Sequence, residues 1–200
     1  MVDTPSALPD PAAGAKLALR DQLGTARKRV PLAEVVHRAE QIADHALATP
    51  EVARAASVGL YVSMGHEPGT GVLLDRLLAL GKRVLLPVVL PNLDLDWAAY
   101  TGPGSLAPAR MGLLEPTGSR LGVEAVATCD AVLVPGVGVD GTGMRLGRGG
   151  GCYDRALARV PMGTFVAVVL YSAEIINKVP RSAHDLPVGA AITDSGVTRF

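Results

Sequence analysis

From Ala131 to Val160 the chain reads AVLVPGVGVDGTGMRLGRGGGCYDRALARV: an apolar run, a glycine-studded stretch, then a helix-forming segment. The apolar run AVLVP has no alternation and reads as a short buried strand, while Leu157 and Val160 stand at helical i, i+3 spacing. Glycine lets the intervening backbone turn N–H groups inward and lets a bulky anion approach closely. A following helix adds unpaired N–H groups and the positive end of its dipole. Arg145 and Arg148 lie beside that nest, and guanidinium groups match phosphate through paired, charge-assisted hydrogen bonds. Asp154 falls in the first helical turn, where a carboxylate can hold Mg²⁺ against bound phosphates. These residue types describe a polyphosphate site.

Other readings of the same stretch compete. A carboxylate in a first helical turn also favours the helix dipole without any metal, so Asp154 carries two readings. RLGRGGG resembles a disordered Arg/Gly segment of an RNA-binding protein, but such segments repeat and lack flanking strand and helix signals. Gly136, Gly138 and Gly141 formally satisfy G-x-G-x-x-G after a strand. That fingerprint needs a helix opening at its third glycine, and the glycines that follow prevent one. No G-x-x-x-x-G-K-[ST] occurs, so there is no P-loop.

The 200 residues suit one domain, 11–200, preceded by a loose tail over 1–10. A formal net charge of zero gives no bulk attraction to nucleic acid or to an anionic membrane. Phe165 to Tyr171, the longest apolar run, is too short for a bilayer, and the N-terminus lacks signal-peptide character. Cys129 and Cys152 form neither a disulfide framework nor a zinc pattern. A cytoplasmic, monomeric protein is expected.

Asp10-Pro11 starts a helix to about Lys28. Lys16 and Arg20 share one face of it, so both heads can converge on one anion or simply be solvated. Pro31 opens a second helix to about Ala48. Its core stripe is Leu32, Val35, Val36, Ala39, Ile42, Ala43 and Leu47, with His37 and His45 at the surface. Ser57–Ser63 reads as a buried strand, followed by the loop MGHEPGT and a helix over 70–80 closed by Gly81. Loops at strand C-terminal ends bind ligands in open α/β sheets, which places Glu67 at such a position. Arg83–Val89 and Leu93–Tyr100 are further strands, with Trp97 half-buried; 101–118 is loop-like, and Glu115 receives no catalytic role. Thr164–Tyr171 is a strand buried on both faces, and Ala190–Thr193 is the last strand, after a loop holding His184-Asp185.

LVPGVGVDGTGMRLGRGGGCYDR, with its gapless R-L-G-R-G-x-G-x-Y-D-R core, resembles the signature of the 5-formyltetrahydrofolate cyclo-ligase family. The K-x-x-L-R spacing from Lys16 to Arg20 and the S-M-x-x-E spacing from Ser63 to Glu67 match its other motifs. The resemblance covers roughly Lys16 to Thr193. Cys152 stands where the family usually has a tyrosine, and Gly189 where it often has an acid. A tyrosine position does not do thiolate chemistry, so Cys152 is expected to pack rather than attack.

The resemblance implies ATP-dependent cyclisation of 5-formyltetrahydrofolate to 5,10-methenyltetrahydrofolate, with ADP and phosphate released. It implies ATP contacts from Lys16, Arg20, Arg145, Gly147, Arg148, Gly149, Gly150, Gly151 and Tyr153. Folate contacts fall to Val62, Glu67 and the stretch Arg148, Gly149, Gly150, Gly151 and Cys152. Arg145 and Arg148 would serve catalysis, and Asp154 with Asp185 would hold Mg²⁺. Two alternatives remain: a folate- or nucleotide-binding paralogue without catalysis, or another α/β enzyme of phosphorylated small molecules. Strands alternate with helices throughout, so the expected fold is a single three-layer α/β/α domain with a mainly parallel, mixed sheet.

Overall fold

The computed structural model describes residues 12–182 and 184–200. The expected tail over 1–10 and the helix start at Asp10-Pro11 lie outside the described residues. Helix α1 (Ala13–Lys28) ends with Arg27 and Lys28, cations at the negative end of the dipole. Pro31, held extended, sets the start of α2 (Leu32–Ala48). Pro50 opens the short α3 (Pro50–Arg54) and keeps Thr49 before it out of helical geometry. Then follow β1 (Ser57–Gly59), α4 (Gly71–Ala79), β2 (Arg83–Val89) and β3 (Leu95–Tyr100). The small hairpin β4 (Leu106–Pro108) and β5 (Leu114–Pro116) precedes the central β6 (Ala131–Pro135). The glycine stretch forms β7 (Gly138–Asp140) and β8 (Arg145–Leu146), leading to α5 (Cys152–Leu157). The chain finishes with β9 (Phe165–Val169), β10 (Ile175–Ile176), β11 (Ala190–Thr193) and β12 (Gly196–Arg199).

The main sheet has seven strands in the order β12-β11-β9-β6-β1-β2-β3. Neighbours from β11 through β2 are parallel, and antiparallel β12 and β3 close the two edges. One face packs Ile42, Ala43 and Ala46 of α2, Val52 of α3 and Leu73, Leu74 and Leu77 of α4 against the strands. The other face carries Ala156 and Leu157 of α5 with Ala125 and Val126 of a 3₁₀ segment. This is the expected three-layer, mainly parallel arrangement. A second sheet, β10-β7-β8, packs beneath Leu19 and Leu23 of α1. No helix among the described residues is long and apolar enough to cross a membrane.

Several local expectations need correction. Leu32 and Val36 are 73% and 61% exposed, because α2 joins the core against the sheet only from Ile42 onward. His45 is half-buried, with Nδ1 2.8 Å from the Thr193 carbonyl. The strand at Ser57 stops at Gly59, since Thr70 Oγ1 takes over the backbone there, donating to Tyr61 O and accepting from Ser63 N. Trp97 is 1% exposed rather than half-buried, because the 3₁₀ segment covers β3. Ala190–Thr193 is not the last strand: β12 returns along it after a turn through Gly196, whose φ is 137°.

Asp140 ties the second sheet together. It is 4% exposed; its Oδ1 accepts from Thr142 N, Thr142 Oγ1 and Met144 N, and its Oδ2 from Val179 N. Burial alone would raise this carboxyl's pKa, but the converging donors hold it below its ordinary value. The carboxylate therefore adds stability above its unfolded pKa of ~3.9, lost as pH falls through the lower folded value. Asp140→Asn is expected to cost about 2–3 kcal/mol at neutral pH, because an amide N–H₂ cannot accept these bonds. Urea titrations at pH 7 and below 4 should show that cost shrinking with acid.

Candidate active site

β1 sends the chain to β2 on one side, and β6 lies on its other side, so connections diverge at their carboxyl ends. Such a divergence leaves a crevice in a parallel sheet. A cleft of about 640 Å³ opens there, lined by Tyr61, Val62, Met64 and Glu67 after β1 and by Pro135 and Gly136 at the end of β6. Pro87 and Val89 of β2 continue the wall, and α1 contributes Ala13, Lys16 and Arg20. The glycine loop from Gly147 to Gly151 closes it.

Every residue singled out from the sequence as a candidate ligand contact lines this cleft: Lys16, Arg20, Val62, Glu67, Arg145, Gly147 through Asp154, and Asp185. Arg145 is 5% exposed. Its Nη1 donates to Pro135 O at 3.1 Å, its Nη2 to Asp154 Oδ1 at 2.9 Å, and its guanidinium lies 5.9 Å from the Tyr153 ring centre. Its Nε is buried with no hydrogen-bond partner among the described residues. Lys16, 7% exposed, reaches Asp185 Oδ2 and Ser182 Oγ, each at 2.5 Å. Burial pushes the Asp185 carboxyl up, but Lys16 and the Ser182 N–H hold it below its ordinary range. Arg20 Nε donates to Gly147 O at 2.8 Å.

The glycines fit closely around these cations. Gly149 and Gly151 have φ of 103° and 65°, a region that L side chains rarely adopt. A Cβ on Gly147 would stand 2.8 Å from Arg145 Nη1, and one on Gly149 3.4 Å from Arg20 Cζ. Cationic heads thus rest directly on loop backbone, an arrangement suited to a multiply charged anion.

Glu67 is 8% exposed. One oxygen accepts from Met64 N at 2.8 Å, and the other meets Arg148 Nη2 at 2.7 Å. The same cleft is lined by apolar residues, among them Val62, Val89, Leu93, Leu113, Leu114 and Met111, the last 68% exposed. The sequence reading missed Met111, Leu113 and Leu114, since the stretch 101–118 shows no periodicity to mark a wall. Glu115 also lines the cleft, where its Oε1 accepts from Val89 N at 2.9 Å, a structural bond. Tyr61 and Tyr153 form part of the floor, and burial raises both phenols above their ordinary pKa. Cys152 packs with Tyr153 against the second core cluster. His66 does not line the cleft; its Nδ1 is buried without a partner among the described residues.

Asp154 and Asp185 offer hard oxygen donors to one cleft, each with one oxygen turned to a cation. Among the described residues no three acidic, histidine or cysteine side chains cluster to hold a metal alone. Mg²⁺ shared with phosphates needs only one or two carboxylates, so this donor set fits it.

Comparison with known proteins gives one consistent result. The model of the 5-formyltetrahydrofolate cyclo-ligase family matches residues 12–194. A 5-formyltetrahydrofolate cyclo-ligase of Mycolicibacterium smegmatis is 38% identical, over 89% of this chain and 93% of that protein. The solved structure of Aquifex aeolicus 5,10-methenyltetrahydrofolate synthetase superposes with a TM-score of 0.79 at 31% identity, covering 92% of each chain. A Mycoplasma pneumoniae 5,10-methenyltetrahydrofolate synthetase shares the fold at 21% identity, with a TM-score of 0.70 over 90% of this chain and 98% of that one.

The cleft's tight backbone makes a contrast between two glycines testable. A Cβ at Gly136 would lie 2.6 Å from Val168 Cγ2 and 3.4 Å from Arg145 Cγ, whereas one at Gly24, inside α1, meets nothing within 4 Å. Gly136→Ala is expected to destabilise by about 1–3 kcal/mol through overpacking. Gly24→Ala should stabilise by about 0.5–1 kcal/mol through helix propensity. Thermal unfolding of the two variants checks both signs.

Proposed function

The chain belongs to the 5-formyltetrahydrofolate cyclo-ligase family, and on that premise we propose that it uses ATP to close 5-formyltetrahydrofolate to 5,10-methenyltetrahydrofolate through a phosphorylated formyl group. The supporting observation is one continuous cleft lined by Lys16, Arg20, Arg145 and Arg148, with Arg20 and Arg145 resting on glycine backbone, that also carries apolar side chains and the buried Glu67 carboxylate.

An N-formyl oxygen is a weak nucleophile and a poor leaving group. Attack of that oxygen on the γ-phosphorus breaks the bond to the β-phosphate oxygen, and ADP leaves. The formyl carbon is now electrophilic. N10 attacks it, loses its proton, and the carbon–oxygen bond breaks with its electrons on the departing phosphate. Such chemistry depends on positioning and on stabilising charge on the transferring oxygens, not on a protein nucleophile.

In this reading Lys16, Arg20, Arg145 and Arg148 receive the phosphates together with N–H groups of the loop Gly147–Gly151. Arg145 has the groundwork for transition-state stabilisation, being buried, fixed on two sides and left with an unpartnered Nε. Tyr153 supports Arg145 from its ring face. Val62 and the Met111–Leu114 wall take the flat rings of the folate, and Glu67 orients the pterin through its hydrogen-bonding edge. Asp154 and Asp185 would hold Mg²⁺, which supplies charge neutralisation to the phosphates. Cys152 packs and does not attack. All these residues come from one chain, so the reading needs no second subunit.

The test is formation of methenyltetrahydrofolate absorbance from 5-formyltetrahydrofolate by the purified chain. Formation should require ATP and Mg²⁺. Asp154→Asn should depress turnover by about tenfold or more and raise the Mg²⁺ needed for half-activity, with partial recovery at high Mg²⁺. Unchanged Mg²⁺ dependence in that variant would reduce Asp154 to the counter-ion of Arg145.

A further inference from the structure

Arg155 has no part in the chemistry above, yet it spans the cleft's two walls. Its Nη2 donates to Leu93 O at 2.6 Å and to Gly150 O at 3.0 Å. The first carbonyl belongs to the turn between β2 and β3, and the second to the glycine loop. The guanidinium sits close against that loop, since a Cβ on Gly151 would stand 3.0 Å from Arg155 Nη1.

The turn it grips is not relaxed. Leu93 has φ of 64°, a left-handed conformation unusual for a bulky L-residue, and its side chain lines the cleft. The turn is held a second time from the same helix end. Arg159 makes a bidentate pair with Asp94, Nη1 to Oδ1 at 2.9 Å and Nη2 to Oδ2 at 2.7 Å. Its Nε reaches Glu124 at 3.0 Å, and Asp94 is itself 8% exposed. The Arg159 hydrogen bonds hold the Asp94 carboxyl below its ordinary range. α5 and the turn that follows it therefore fasten the β2–β3 turn at two successive residues. The N-terminal end of the same helix carries the glycine loop and Asp154.

We infer that Arg155 is a positioning residue that couples the two substrate subsites: it makes the glycine loop and the Leu93 wall move as one body, so that occupation of either favours occupation of the other. This rests on the functional reading above, which gives the phosphates to the loop and the folate rings to the wall. Arg159 with Asp94 sets where the turn lies; Arg155 transmits a displacement of the loop to it. Mutual preference between two sites is a coupling free energy and is reciprocal.

The experiment is calorimetric titration of the full chain with a non-hydrolysable ATP analogue and Mg²⁺, with and without 5-formyltetrahydrofolate, and the converse titration. In the unaltered chain each ligand should tighten the other by about fivefold or more, by the same factor both ways. In Arg155→Ala each ligand alone should bind within about twofold of the unaltered value while that factor falls toward one. Arg155→Lys, which keeps a cationic donor on a shorter side chain, should retain more of the factor than Arg155→Ala. A coupling factor of one in the unaltered chain, or one unchanged in Arg155→Ala, would overturn the inference and leave the functional reading intact. Failure of the unaltered chain to bind either ligand would overturn both.

Discussion

A buried guanidinium needs partners, and much of this molecule is arranged to supply them to Arg145. Taking a charge out of water costs several kcal/mol, which is returned only when geometry and hydrogen bonding are good. Here Pro135 O at the end of β6, Asp154 in the first turn of α5 and the Tyr153 ring surround it. Pro135 ends β6, while Tyr153 and Asp154 are neighbours in α5, so the two ends of one segment meet on this guanidinium. The glycines allow the chain to fold back closely enough for all three to meet, and Gly147 leaves room for Nη1. An apolar side chain would fill this space at lower cost, so the ion pair is better explained by its use than by stability.

That cluster could not face a cleft without the sheet order around it. Because β1 lies between β2 and β6, the loops leaving β1 and β6 part at the crevice, one bringing Glu67 and the other Arg145. α1 then completes the phosphate end from outside the main sheet. It is secured by Arg27, whose guanidinium holds both oxygens of Glu174 and donates to Gly136 O at 2.7 Å. Burial raises the Glu174 carboxyl above its ordinary value, while the bidentate hydrogen bonds from Arg27 pull it back down. Hydrogen bonds from Arg27 and Arg20 thereby tie α1 to the β6 exit and to the start of the glycine loop.

The sequence made the central strands legible because AVLVP and the 164–171 run are apolar without alternation, a pattern that only two-sided burial explains. The cationic side of the cleft was legible too, since glycines with arginines at fixed spacing have few other uses. Edges were harder to read. GVTR of β12 is short and mostly exposed, so it carries no hydrophobic signal. The exposure of Leu32 and Val36 on α2 depends on where that helix leaves the sheet, which periodicity does not encode. The apolar wall at Met111 to Leu114 comes from a 3₁₀ turn and a hairpin without period, and Arg155, although it closes the quoted signature, carries no sign in the sequence of its partner at Leu93 O. Both are properties of how distant segments meet, not of either segment.

The central claim is that the cleft brings the formyl oxygen to the γ-phosphate, so that this oxygen leaves on phosphate. The direct measurement is turnover of 5-formyltetrahydrofolate labelled with ¹⁸O in the formyl group, followed by mass analysis of the inorganic phosphate released. The account predicts one ¹⁸O atom in the phosphate for each methenyltetrahydrofolate formed. Unlabelled phosphate, with the ¹⁸O recovered in water, would contradict it.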